Sequence, residues 1–281
     1  MKLFSYYIML RPQQWLKNLM LFFPPFLAGQ ILMPGIITKG IVPFSAFCLV
    51  SSAGYVLNDL VDRNRDDLHP LKRLRPIPSG AVSLTGASIF SALLLISGLV
   101  LASFLSLNFF LLLSGYAVVS ISYSLLLKTL PVVDLFCIAA GFLIRLQAGG
   151  EFFHIPISPW LFLTVFLLAV FLSTGKRLSE SRSLGDSAGE HRTSLALYPS
   201  GFLAGTMYMT GSAVLVTYAM YVLNKPKLIY SVPLCLFGLL RYILRVNSGE
   251  NGDPTESLLK DWMLFVVSTL WLLMVIWSIY R

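Results

Sequence analysis

Residues 41–67 read IVPFSAFCLVSSAGYVLNDLVDRNRDD, an uncharged stretch through Asn58 followed by four aspartates and two arginines before residue 68. About 20 predominantly apolar residues suffice for a helix to cross the ~30 Å hydrocarbon core of a bilayer. This stretch crosses and then emerges into a dense cluster of charge. Working outward, comparable runs lie at about 16–33, 87–106, 109–127, 131–149, 159–176, 202–223, 228–245 and 262–280, so that with 41–60 nine spans are expected. The bulk numbers agree: of 281 residues 56% are apolar and 12% charged, and the mean hydropathy is +0.77. A soluble domain needs a charged shell that this chain cannot supply. The fold class is therefore all-α, a polytopic integral membrane protein, with one transmembrane domain over 1–281. A water-soluble enzyme, a disordered chain and a disulfide scaffold are excluded. Pro24-Pro25 should kink the first span, and Met1-Lys2-Leu3-Phe4 lacks the look of a cleavable signal peptide. Cys48, Cys137 and Cys235 lie in apolar runs without metal spacing and read as small buried hydrophobes.

The net charge of +8 has a topological reading. With the N-terminus inside, 16 lysines and arginines fall in cytoplasmic segments, whereas Lys39, Lys225, Lys227 and Arg281 fall outside and Arg145 lies within a span. That bias orients the chain N-terminus in and C-terminus out. It also removes the need to invoke a nucleic-acid partner; the expected surroundings are the bilayer. Most of the acids gather on the same side, where no insertion rule of comparable strength places them. Acids and bases on one face point to a site.

On a helix, Asp59, Asp62 and Asp66 fall at i, i+3 and i+7, and Asn58 stands four before Asp62, so the four form one stripe. Three carboxylates on one face repel each other unless something positive neutralises them. Oxygen-only ligands suit Mg²⁺, which takes substrate phosphates as further ligands. The bland alternative is a solvated helix end paired with Arg63 and Arg65. Directly after comes His69-Pro70-Leu71-Lys72-Arg73-Leu74-Arg75-Pro76-Ile77-Pro78-Ser79-Gly80, whose Lys72, Arg73 and Arg75 are suited to grip phosphate oxygens.

The stretch from Asn58 to Gly80 resembles the first aspartate-rich motif of the UbiA superfamily of intramembrane prenyltransferases: N-D-x-x-D-x-x-x-D and then K-R-x-R-P-[IL]-x-x-G. The resemblance implies a helical bundle with its active site facing the cytoplasm. Aromatic prenyltransferases of that superfamily carry a second motif, D-x-x-x-D, after the sixth span. Here Gly175-Lys176-Arg177-Leu178-Ser179-Glu180 stands instead, with one acid, and Asp186 and Glu190 fall in a Ser/Gly-rich loop. Together with Arg11-Pro12-Gln13-Gln14-Trp15-Leu16-Lys17-Asn18, Tyr123–Lys128, Gly141–Arg145, Ala148-Gly149-Gly150, Arg192–Tyr198 and Leu240-Arg241-Tyr242, this departure resembles the polyprenyl-phosphate (decaprenyl-phosphate) phosphoribosyltransferase branch. That branch, as the resemblance implies, moves 5-phosphoribose from phosphoribosyl diphosphate to a polyprenyl phosphate for cell-envelope precursors, in the bacterial plasma membrane.

With that donor the residues take roles. Asp59 and Asp62 are the expected Mg²⁺ ligands, with Asp66 binding directly or through water. Lys72, Arg73 and Arg75 would neutralise the leaving diphosphate. Lys17, Lys128, Lys176, Arg177 and Arg192 are further expected phosphate contacts, with Asn58, Tyr123, Arg145 and Glu180 as additional substrate contacts. Arg145 could reach the acceptor phosphate or pair with Asp134. The acceptor phosphate is already anionic, so no general base is required. A homo-oligomer is compatible with this reading. Two alternatives are kept. One is prenyl transfer from a prenyl diphosphate to an aromatic or other acceptor, against which the missing second motif argues. The other is a transporter, which would place its polar groups near the midplane.

Overall fold

The computed structural model describes residues 2–67, 72–184, 193–223 and 225–281, and among them regular structure is entirely helical. The contacts gather in two compact units: residues 1–128 with 144–156, and residues 129–143 with 157–281. Among the described residues eight helices are long and apolar enough to cross a membrane.

The first unit opens with α1 (Lys2–Leu10) and a 3₁₀ segment, Pro12–Phe22, which runs into the short α2 (Phe23–Leu27). Then come α3 (Ile36–Val61), α4 (Arg63–Asp67), α5 (Leu84–Ser103), α6 (Leu107–Leu125) and the second half of α7 (Val133–Phe152). Ser83 and Ser106 cap α5 and α6, accepting from the amides of Gly86 and Phe109. With no hydrophobic drive between helices in lipid, close approach at small residues sets the packing. A Cβ on Gly98 of α5 would stand 2.9 Å from the Ala46 carbonyl oxygen of α3, and one on Gly54 would meet the Ser120 hydroxyl of α6. Phe47, Phe109 and Tyr116 fill the centre, with Phe47 and Phe109 edge to face at 5.8 Å. On α5, Ile89, Leu93, Ile96 and Val100 are exposed along one stripe, as a lipid-facing helix requires.

The run at 16–33 does not form a regular α-helix. Pro12 starts a 3₁₀ stretch, and Pro24-Pro25 removes two amide donors from the turn that follows. It nonetheless travels the length of α3. Arg11 meets Asp59, Trp15 donates to Ser52, Asn18 reaches Cys48 and Ser51, and Phe22 packs on Gly40. Residues 40 to 59 of a helix span about 28 Å. The ninth crossing is therefore present in broken form, wedged under α7, where a Cβ on Gly149 would lie 2.2 Å from the Leu21 carbonyl oxygen.

The second unit holds the first half of α7, then α8 (Pro159–Leu184), α9 (Thr193–Ala196), α10 (Phe202–Val222), α11 (Val232–Asn247), α12 (Pro254–Lys260) and α13 (Trp262–Tyr280). Phe171, Met207, Val214, Leu239, Tyr242 and Val246 form its core. The link between α11 and α13 folds onto α8. A Cβ on Gly252 would press on the Gly175 carbonyl at 2.6 Å, and the Gly252 amide donates to Ser179.

Candidate active site

The acidic stripe lies where α3 ends. Asp59 is in the last turn of α3, Asp62 is its C-cap residue, and Asp66 is on α4. The chain bends at Asp62 without losing helical bonding: the Asp62 amide donates to the Asn58 carbonyl, and those of Arg65 and Asp66 donate to the Asp62 carbonyl. Asp59 and Asp66 are buried, and Asp62 is partly exposed. Their counter-charges come from elsewhere in the chain. Arg75 Nη1 donates to Asp59 Oδ1 at 3.0 Å and to Asp66 Oδ2 at 2.7 Å. Arg11 Nη2 donates to the same Asp59 oxygen. Lys72 Nζ stands 3.9 Å from Asp66. Lys128, itself buried, donates to Asp62 at 2.6 Å and to Asn58 at 3.2 Å. Among the described residues Arg63 and Arg65 make no ion pair with these acids and are exposed. The arrangement is therefore not that of a solvated helix end.

Whether a divalent metal fits can be judged from the donor set. Two carboxylate oxygens already converge on a single positive centre, Arg75 Nη1, and a third carboxylate lies one turn away. The set is all oxygen, as Mg²⁺ prefers. Among the described residues no three acids are gathered as a bound ion would gather them; Arg75 bridges Asp59 and Asp66, and Lys128 pairs with Asp62. The donor chemistry fits; closing the set requires the cations to give way.

A second buried polar cluster, Arg145 with Asn18 and Tyr116, lies deeper in the same unit. Arg145 Nε donates to Asn18 Oδ1 at 2.7 Å and Nη2 to the Tyr116 hydroxyl at 2.8 Å. In the second unit Asp134, fully buried, accepts from Arg177 at 3.0 Å and from the Tyr198 hydroxyl at 2.9 Å. Arg177 also donates to Glu180 at 2.9 Å, and Lys176 donates to Asp253 at 2.9 Å. Burial, against the pull of the Val132 amide and with the help of Asp134, pushes the Tyr198 phenol up to about 12, so it stays a donor to Asp134. Val132 adopts φ 67°, rare for a β-branched residue, with its amide aimed at the Tyr198 oxygen.

Residues 22–269 match the UbiA prenyltransferase family. The chain belongs to that family. It is 30% identical over 280 residues to the decaprenyl-phosphate phosphoribosyltransferase of Mycolicibacterium smegmatis, covering 93% of this chain and 88% of that protein. It is also 30% identical to the enzyme of that name from Corynebacterium glutamicum, covering 96% and 85%. A UbiA homologue from Archaeoglobus fulgidus solved with GPP and Mg²⁺ shares the fold, with a TM-score of 0.76 at 20% identity over 98% of this chain and 99% of that one.

This UbiA chain is thus a membrane-embedded transferase, and the structure locates its expected site residues as follows. Asp59, Asp62, Asp66, Asn58, Lys72, Arg75 and Lys128 come together. Arg73 and Lys17 are exposed, and Tyr123 is half-buried on α6. Lys176, Arg177 and Glu180 form their own group with Asp134 and Asp253, so the charge of Arg177 is already answered by two carboxylates. Asp134, offered above as a partner for Arg145, instead accepts from Arg177 and Tyr198, while Arg145 joins Asn18 and Tyr116. Arg192, Asp186, Glu190 and His69 lie outside the described residues. Arg11 and Tyr198 were not singled out as site residues. Both belong to the quoted motifs R-P-Q-Q-W-L-K-N and R-T-S-L-A-L-Y, and that membership was the available signal.

Proposed function

We propose that the chain transfers 5-phosphoribose from phosphoribosyl diphosphate to a polyprenyl phosphate, releasing diphosphate, in a Mg²⁺-dependent reaction at the cytoplasmic face of a bacterial plasma membrane. The observation that carries this reading is the 30% identity, across nearly the whole chain, to two enzymes named for that transfer. The Gly175-Lys176-Arg177 segment supports it, because two cations stand where prenyl-diphosphate enzymes are expected to carry a second pair of acids.

In this reaction an oxygen of the acceptor phosphate bonds to the ribose anomeric carbon as the bond from that carbon to the diphosphate oxygen breaks. The acceptor enters as an anion, so no proton has to be removed. Asp59, Asp66 and Asp62 would hold Mg²⁺, which would supply positive charge to the departing diphosphate. Arg75, Lys72 and Arg73 receive its remaining charge through charge-assisted hydrogen bonds. Lys128 keeps Asp62 and Asn58 aligned. Lys176, which is partly exposed beside Asp253, is assigned to a donor phosphate; Arg177 stays with Asp134 and Glu180 and supports it.

Purified protein with Mg²⁺, labelled phosphoribosyl diphosphate and a polyprenyl phosphate should yield a labelled lipid on thin-layer chromatography, and EDTA should abolish it. Turnover of a prenyl diphosphate with an aromatic acid, and none of phosphoribosyl diphosphate, would overturn the branch while leaving the family intact.

A further inference from the structure

Arg11 adopts φ 51° and ψ 61°, a left-handed conformation that residues with a Cβ rarely take. The surrounding chain holds it there. Ser52, fully buried, donates to the Leu10 carbonyl at 2.7 Å and accepts from the Trp15 indole at 3.0 Å, pinning the chain on both sides of the bend. The bend gives the side chain its direction. The guanidinium passes over the Tyr55 ring, 5.3 Å from its centroid, and ends on Asp59 Oδ1. Arg75 arrives from the other side at the same oxygen and bridges to Asp66. Two buried carboxylates are thus balanced by two guanidinium groups.

We infer that Arg11 and Arg75 are the resident counter-ions of Asp59 and Asp66, and that they keep a divalent cation out until a diphosphate enters and draws them onto its own oxygens. The inference rests on the metal-dependent reading above. Arginine cannot shed its charge by losing a proton, so it has to be moved to make room. A metal arriving alone meets carboxylates that are already neutralised and two positive groups beside them. A diphosphate changes that balance, because its oxygens match the guanidinium fork as well as a carboxylate does. It gives both arginines a new partner and leaves Asp59 and Asp66 to the metal. Metal and diphosphate therefore bind with positive coupling, each raising the affinity for the other. Arg11 is a residue of the diphosphate site as well as a brace for α1.

The test uses the full chain in detergent and two direct binding measurements. Mn²⁺ alone is counted by equilibrium dialysis, and labelled inorganic pyrophosphate is counted at fixed Mg²⁺. Wild type should bind Mn²⁺ weakly alone and retain pyrophosphate when Mg²⁺ is present. R11M and R75M should each bind Mn²⁺ alone more tightly, by about 10-fold, and retain pyrophosphate more weakly by a similar factor. R11K and R75K, which keep the charge, should stay near wild type for Mn²⁺ alone. An unchanged elution profile in detergent for R11M and R75M separates this gain from carboxylates exposed by misfolding. Unchanged or weaker Mn²⁺ binding in R11M and R75M, with wild type still retaining pyrophosphate, would overturn the exchange and leave the metal reading standing. A wild type that retains no pyrophosphate with Mg²⁺ would overturn the metal reading and the exchange with it.

Discussion

Asp59 and Asp62 stand three residues apart and hold different partners: Asp59 is buried between two arginines, and Asp62 is half-exposed against Lys128. Under the metal reading both are ligands, so both should be intolerant of a neutral isostere. Asp59→Asn and Asp62→Asn should each lower turnover on the order of 10²-fold or more, with an unchanged elution profile in detergent. Near-normal turnover in both, with Mg²⁺ dependence kept, would make the stripe a structural ion-pair network. The residue types and their spacing were legible in the sequence, because i, i+3, i+7 on a helix permits one arrangement of the stripe. The pairing was not. Asp59 takes a partner 48 residues away in Arg11, and Asp62 one 66 residues away in Lys128. Helical periodicity carries no information across such distances. Arg177 shows the same limit: nothing in its sequence neighbourhood points to the buried Asp134, 43 residues away, against which the fold sets it.

Long apolar runs were read directly as helices, since in lipid every backbone donor must be satisfied within its own segment. The run at 16–33 reads the same way, but over Pro12–Leu27 the prolines break the ladder, and α3 and α7 support what remains. The support is specific. A Cβ at Gly149 would meet the Leu21 backbone oxygen, which cannot swing aside as a side chain can. Gly149→Ala should therefore destabilise the first unit by about 1–3 kcal/mol, a typical overpacking cost, read as a lower unfolding temperature in detergent; an unchanged temperature would mean the wedge is loose. The element ends of the second unit turn on Asp261. It caps α13 through the Leu264 amide and accepts from Arg241 and Arg245 at 2.9 Å each. Burial alone would raise its carboxyl, but the hydrogen bonds from Arg241, Leu264 and Arg245 together hold it well below the usual carboxylate range. The sign follows from that: the folded value lies below the unfolded one of about 3.9, so the stabilisation is complete above that pH and is lost as the pH falls further toward the folded value. Unfolding temperatures should decline below about pH 4. Asp261→Asn should cost about 3 kcal/mol at neutral pH, through Arg241 losing its carboxylate and Arg245 keeping only the exposed Glu250, and flatten part of the acid decline. Equal acid decline in wild type and variant would remove Asp261 as its cause.

At the scale of the whole molecule, the charge distribution and the fold of the first unit make one joint statement about topology. Arg11 touches Asp59 near the end of α3, while Ile36 begins that helix, so the chain between them must run from one end of α3 to the other. Counting that broken passage with the eight regular helices among the described residues gives nine crossings. We propose that the two termini therefore lie on opposite sides, with the N-terminus in the cytoplasm as the 16 to 4 bias of lysine and arginine predicts. Reporters fused after Gly80 and after Gly249 should both read cytoplasmic, whereas fusions after Gly29 and after Arg281 should read external. Compared with a reporter at the N-terminus, the Gly29 fusion is the informative one: if Pro12–Leu27 merely lay along the surface, the N-terminus and Gly29 would share a side of the membrane, and the ninth crossing would be lost. An external reading at Gly80 would do different damage. It would set Asp59, Asp62 and Asp66 on the side away from a water-soluble, multiply phosphorylated donor that does not pass a bilayer unaided, and the proposed reaction would have no route to its substrate.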